Sequence, residues 1–165
     1  MSTTTEQVSL FKEVMGSYPT GVTIVTSVDE QGTPVGLTVN SFASVSIDPL
    51  LVLWSIDHRV SSLDAFKNSN KFAIHILAGE QKDLCWSFSS KDADRFGTCE
   101  WKFSDYNLPI ISGAFATLQC KTFKQVEAGD HTILIGEVID IQKNEKDPML
   151  YFRRNVGSIP ENWSI

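Results

Sequence analysis

Apolar residues near the start of the chain recur at helical spacing. Val8, Phe11, Val14 and Met15 predict an amphipathic helix over residues 6–17, ended by Gly16 and Pro19. From residue 21 the pattern changes. Residues 21–28 are rich in β-branched side chains and predict a strand, followed by a turn over residues 29–34. A second strand is expected near residues 35–46, closed by Asp48 and Pro49. Counting in twos along it puts Thr38, Asn40, Ser44 and Ser46 on one face. Residues 50–56 form a short continuous apolar run of the kind found in a buried barrel strand. Ser61, Ser62 and Asp64 mark the start of a short helix that ends near Asn68. The serine is expected to accept from first-turn N–H groups, with Asp64 near the positive end of the helix dipole. A strand over 72–77 and a helix over 81–89 follow, the latter with Leu84, Cys85 and Phe88 on one face. Residues 91–103 read as irregular. Two long strands over 114–126 and 131–142 are joined by a glycine-bearing hairpin turn at 127–130.

About six strands joined by hairpins and short connections, with two or three short helices, predict a mainly β, antiparallel barrel with helical decorations. At 165 residues, with no linker, repeat or low-complexity segment, one domain over residues 1–165 is expected.

Composition narrows the function classes. The net charge is −6 and the basic residues are scattered, which argues against a nucleic-acid partner. The three cysteines, Cys85, Cys99 and Cys120, match neither a disulfide framework nor a zinc site, so a reducing cytoplasm is expected. The polar N-terminus has no apolar core of a signal peptide, and no apolar run approaches membrane-spanning length.

Four constellations carry candidate chemistry. The hydroxyl and amide side chains of the polar strand are equally an exposed sheet face and a neutral hydrogen-bonding edge for a flat ligand. Asn40 offers both donors and an acceptor to an imide-like ring edge. Residues 58–62 (HRVSS) are either a basic loop with a helix cap or a phosphate cradle. Asp130 and His131 are a turn aspartate and surface histidine, or a ligand contact. Asp94, Arg95 and Phe96 are a surface ion pair with a partly buried ring unless they border a ligand. His75 reads as a core or interface residue. The sequence contains no G-x-G-x-x-G, P-loop, H-E-x-x-H or G-x-S-x-G pattern. Nothing marks an activated nucleophile, so chemistry here would be carried by a bound organic cofactor.

Together these segments resemble the flavin reductase family, the small reductase components of two-component flavin-dependent monooxygenases. The matching pieces are 11–26 (FKEVMGSYPTGVTIVT), 36–49 (GLTVNSFASVSIDP), Phe66 with Ser69, Phe72 and Ala73, 94–96 (DRF), 118–120 (LQC) and 129–131 (GDH), in family order. The resemblance implies an FMN-binding split barrel of antiparallel Greek-key type acting as a homodimer. It implies hydride transfer from NADH or NADPH to FMN or FAD, with the reduced flavin passed to a partner oxygenase. It casts Thr38, Asn40, Ser41 and Ser55 as flavin contacts and Ser61 and Ser62, with Arg59, as the phosphate side. Pro19, Thr20 and Gly21 fall near the ring, Arg95 and Phe96 on the dinucleotide side, and His131 against the nicotinamide. This chain departs from the commoner pattern at Tyr18 and Pro19, at Trp54, and in its tail beyond Phe152. A flavin-storage module and a pyridoxamine-phosphate-oxidase-like enzyme on a related barrel are the competing functions.

Overall fold

A computed structural model describes residues 3–91 and 94–163. Helix α1 (Thr5–Gly16) is started by a capping box. The Thr4 hydroxyl accepts from the Gln7 N–H at 3.2 Å, and the Gln7 side chain accepts from the Thr4 N–H at 3.0 Å. None of its residues is buried. The chain continues through β1 (Thr20–Gly21), β2 (Thr23–Val28), β3 (Pro34–Val39), β4 (Ala43–Ile47) and β5 (Leu50–Asp57). Helix α2 (Leu63–Asn68), β6 (Lys71–Ile76) and helix α3 (Lys82–Ser89) come next. A 3-10 turn (Phe96–Thr98) then leads to the short ladder of β7 (Trp101–Phe103) with β8 (Pro109–Ile111). The long strands β9 (Ala116–Ala128) and β10 (His131–Lys143) precede β11 (Leu150–Phe152), β12 (Asn155–Gly157) and a last 3-10 turn (Glu161–Trp163).

Seven strands form one antiparallel sheet in the order β3-β2-β6-β9-β10-β5-β4. Its edges, β3 and β4, share no ladder, so the barrel is not closed by hydrogen bonds. Both halves nevertheless bury side chains in one core. Val25 and Leu37 come from one half, and Val52, Trp54 and Leu134 from the other. Trp54 is fully buried and meets Phe66 and Phe72 edge-on, with centroids 5.0 and 5.9 Å away. Each such aromatic pair contributes about 1 kcal/mol beyond the area it buries.

Strand β2 separates this core from a second one. Val25 faces the first, while Val22 and Ile24 face the second, with Leu77, Cys85, Phe88 and Met149. Its buried hydroxyls are all matched to carbonyls: Thr23 to Val39, Thr26 to Pro109 and Ser27 to Lys71. His75 joins three elements in the same region. Its Nδ1 lies 3.0 Å from the Ile24 carbonyl, and its Nε2 accepts from the Ile111 N–H at 3.1 Å. This fixes the neutral Nδ1–H tautomer, and burial pulls the histidine down to about 4. His75 is therefore a core residue.

The expected strand over 35–46 is two strands. β3 pairs with β2 and β4 pairs with β5, at opposite edges of the sheet, so the chain must cross at residues 40–42. The crossover and a register shift between Ser44 and Ser46 break the count in twos, so Thr38, Asn40, Ser44 and Ser46 do not share a face. The apolar run at 50–56 is buried on one side only, through Val52, Trp54 and Ile56. Ser62 does not cap α2, since its side chain makes no capping bond. The hairpin turn is the two residues Gly129 and Asp130, with Gly129 at φ 65. The tail, which carries no clear strand pattern, supplies β11, and β11 pairs with β1.

Candidate active site

The polar residues of β3, the crossover and β5 border a groove along the open side of the sheet. One end, about 250 Å³, is lined by Thr38, Asn40, Ser41, Ser55 and His131 over an apolar floor of Leu37, Val39, Ile56 and Val60. The other end, about 590 Å³, is lined by Thr38, Arg59, Ser61, Ser89, Lys91 and Arg95. Both ends share Leu37, Thr38, Asp57 and Val60, so they form one continuous depression.

Several of these side chains are held by hydrogen bonds to the fold. Ser41 accepts from the Ser55 N–H at 3.0 Å and lies 3.3 Å from the Ser55 carbonyl, which clips the crossover to β5. The Thr38 hydroxyl donates to the Cys85 carbonyl at 2.7 Å, tying β3 to α3, and so offers a ligand an acceptor rather than a donor. Arg95 donates to the Gly36 carbonyl and, at 2.8 and 3.2 Å, to the Ser90 carbonyl. Burial lowers its pKa from the ordinary arginine value, and its partners are neutral. Gly36 is needed there because a Cβ would lie 2.8 Å from the Phe88 ring and 3.3 Å from Phe96.

Charge gathers where β5 meets the β9–β10 hairpin. Asp57 grips Arg59 through three side-chain bonds, Nη2 to Oδ2 at 2.7 Å and Nε to Oδ1 and Oδ2 at 3.1 and 3.3 Å, and accepts the Arg59 backbone N–H at 2.8 Å. The Arg59 side chain and backbone hold the Asp57 carboxyl well below the usual carboxylate range. Asp57 is also the cross-strand neighbour of His131. His131 Nδ1 lies 2.7 Å from Asp130 Oδ1, and this hydrogen bond lowers the Asp130 pKa. The Asp130 carbonyl accepts the His58 N–H at 3.0 Å, stitching the hairpin to the end of β5.

The other sequence candidates lie elsewhere. Phe96 packs edge-on against Phe88 and Trp101 in the second core and does not line the groove. Ser62 lines an adjacent cavity that Ser61 also borders, and its hydroxyl is buried without a partner. Thr20 and Gly21 are paired with Tyr151 and Leu150, away from the groove, beside an exposed Pro19. The Thr20 hydroxyl is likewise buried and unpartnered. Sequence reasoning missed Asp57 and Lys91. For Asp57 a signal existed, since a carboxylate two residues before an arginine stands within reach of an ion pair.

Residues 15–160 match the family model of the flavin reductase like domain. The chain belongs to this family. It is 48% identical over 127 residues to the reductase component of the flavin-dependent trigonelline monooxygenase of Acinetobacter baylyi, which covers 77% of this chain and 41% of that relative. The match thus spans less than half the length of that protein. It is 40% identical to the FMN reductase (NADH) SmoA of Agrobacterium fabrum, over 86% of this chain and 80% of the relative. Among solved structures, the Streptomyces globisporus NADH:FAD oxidoreductase SgcE6, in complex with NAD and FAD fragments, superposes with a TM-score of 0.90. It has 30% sequence identity and covers 99% of both chains.

The groove of this flavin reductase family member suits a flavin by its chemistry. An apolar floor fits a flat ring, and neutral hydroxyl and amide groups fit its polar edge. Arg59, Lys91 and Arg95 fit a phosphorylated tail. Among the described residues, no group of three His, Cys, Asp or Glu side chains could hold a metal ion. Among them also, no helix is long and apolar enough to cross a membrane.

Proposed function

We propose that this protein is an NAD(P)H-dependent flavin reductase that supplies reduced FMN or FAD to a flavin-dependent oxygenase component. The observation that carries the reading is the convergence of Thr38, Asn40, Ser41, Ser55, Arg59, Ser61, Arg95 and His131, from distant parts of the chain, on one groove. Bound flavin supplies the acceptor for a hydride from the reduced nicotinamide. The chain's own residues position and screen. Asn40, Ser41 and Ser55 hold the polar ring edge, and Arg59 with Ser61 meets the phosphate. His131, oriented by Asp130, contacts the nicotinamide without acting as a base. Ser62 offers its unpartnered hydroxyl beside the phosphate segment. No side-chain proton transfer is needed for hydride transfer itself, so orientation supplies the rate.

Pro19, Thr20 and Gly21 reach a flavin through a second copy of the chain. The supporting observation is α1. Its Lys12, Glu13 and Gly16 border a groove with Arg153 and Arg154, which turns the opposite, apolar side outward. Phe11 is 66% exposed and Val14 57%. Such a stripe marks a protein contact, and a homodimer covers it. Three free cysteines fit a cytoplasmic setting for this single-domain enzyme.

The test is to mix the protein with flavin and NADH under nitrogen. Bleaching of many flavins per protein supports the reductase. Stoichiometric binding without bleaching supports storage of flavin and defeats this reading.

A further inference from the structure

Asp57 is the one carboxylate among the described residues that line the groove, and it stands at the junction of both ends. It is not idle there. It occupies the Arg59 guanidinium through three side-chain bonds and the Arg59 backbone N–H through a fourth. A guanidinium fork offers the same geometry to a carboxylate and to a phosphate. Arg95, the other arginine at this end, is already turned to the Gly36 and Ser90 carbonyls. A phosphate arriving among Arg59, Ser61 and Lys91 therefore meets an arginine whose fork is taken.

We propose that Asp57 is an intramolecular competitor for the phosphate of the flavin and sets how loosely phosphorylated flavins are held. This rests on the reading of the groove as the flavin site. Each binding event exchanges an Asp57–Arg59 bond for a phosphate–Arg59 bond, and each release reverses it. The exchange lowers affinity for FMN and FAD without touching the ring contacts at the Asn40 and Ser55 end. Flavin is then a substrate that comes and goes rather than a resident group, as a protein that hands reduced flavin onward requires. Riboflavin, which has no phosphate, is blind to the competition.

The test is a double-mutant cycle read by quenching of flavin fluorescence on titration at fixed ionic strength. Wild type, Asp57→Asn, Arg59→Ala and the double variant are each titrated with FMN and with riboflavin. Asparagine keeps an acceptor for the Arg59 backbone N–H, and Asp57→Ser repeats the test with a smaller side chain. Asp57→Asn is expected to tighten FMN about fivefold relative to riboflavin, the scale of an exposed ion pair. In the Arg59→Ala background the same change is expected to leave the FMN-to-riboflavin ratio unmoved. A ratio that Asp57→Asn does not shift overturns the proposal. So does an equal shift without Arg59, which would make Asp57 a through-space repeller only. If wild type binds neither flavin, the groove is not a flavin site and the inference falls with that reading. Flavin binding with an unshifted ratio sinks the inference alone.

Discussion

Acidification should weaken this protein through His75 before it does so through any carboxylate. His75 is fully buried, donates to the Ile24 carbonyl and accepts from the Ile111 N–H, so a second ring proton has no acceptor. Its pKa falls from 6.5 to about 4 on folding. The unfolded chain therefore binds this proton first as pH drops, and stability declines from about pH 6.5 until the folded state also protonates, near 4. That difference corresponds to roughly 3 kcal/mol in all, of which about 2 kcal/mol is gone by about pH 5. Asp57, Glu127 and Asp130 have depressed values instead. Their contribution is present above the ordinary carboxylate pKa, near ~4, and is lost only below it. The assay is urea unfolding followed by tryptophan fluorescence at several pH values and one protein concentration. His75→Gln keeps an acceptor for Ile111, cannot titrate, and leaves the Ile24 carbonyl short of a donor at a cost of about 1–3 kcal/mol. It should start less stable at neutral pH and lose much less on acidification. Parallel losses in wild type and variant between pH 6.5 and 4.5 would refute the reasoning.

Three further outcomes are expected. Gly36→Ala forces a Cβ against Phe88 and Phe96 and should cost about 1–3 kcal/mol by overpacking, seen as a lower midpoint of thermal unfolding; an unchanged midpoint would mean these two rings yield freely. His131→Ala should raise the KM for NADH severalfold with little change in the dissociation constant of FMN, measured by steady-state kinetics and fluorescence titration; equal effects on both would remove it from the nicotinamide side. Phe11→Glu should convert a dimer to monomer in analytical ultracentrifugation, and a mass identical to wild type would exclude α1 from the interface.

The sequence was most legible where local periodicity decides structure. The α1 stripe, the β2 run and the β9–β10 hairpin each follow from side-chain spacing and one glycine at positive φ. It was least legible at residues 40–42. Local pattern continues through them, while the pairing of β3 with β2 and of β4 with β5 is a long-range fact that no short window contains. Ser62 failed for a related reason. Serine before a helix suggests a cap, yet here the hydroxyl is buried without a partner and caps nothing. Phe96 is cast on the dinucleotide side by the resemblance of residues 94–96 to the family segment. Its place is decided by Phe88 and Trp101, which close over it from α3 and β7. Most of the remaining site candidates converge because they sit on β3, β5 or their ends, and the topology brings those strands around one core.

The two ends of the groove differ in stiffness, and that difference bears on how a ligand is handled. At the Ser41 and Ser55 end the polar groups belong to strands and to a crossover bonded back to β5, so their positions are set by the sheet. A ring edge bound there is placed by a rigid frame, which is what alignment for hydride transfer demands. At the other end the lead cation is a long side chain, 85% exposed, whose partner among the described residues is Asp57. An exposed ion pair gains little and exchanges partners readily. Precision thus sits where orientation sets the rate, and looseness where a phosphate must enter and leave. A resident cofactor would call for the reverse at the tail, with buried cations and no competing carboxylate. Under the proposed reading, this arrangement serves a flavin that is aligned strictly while bound and is not kept.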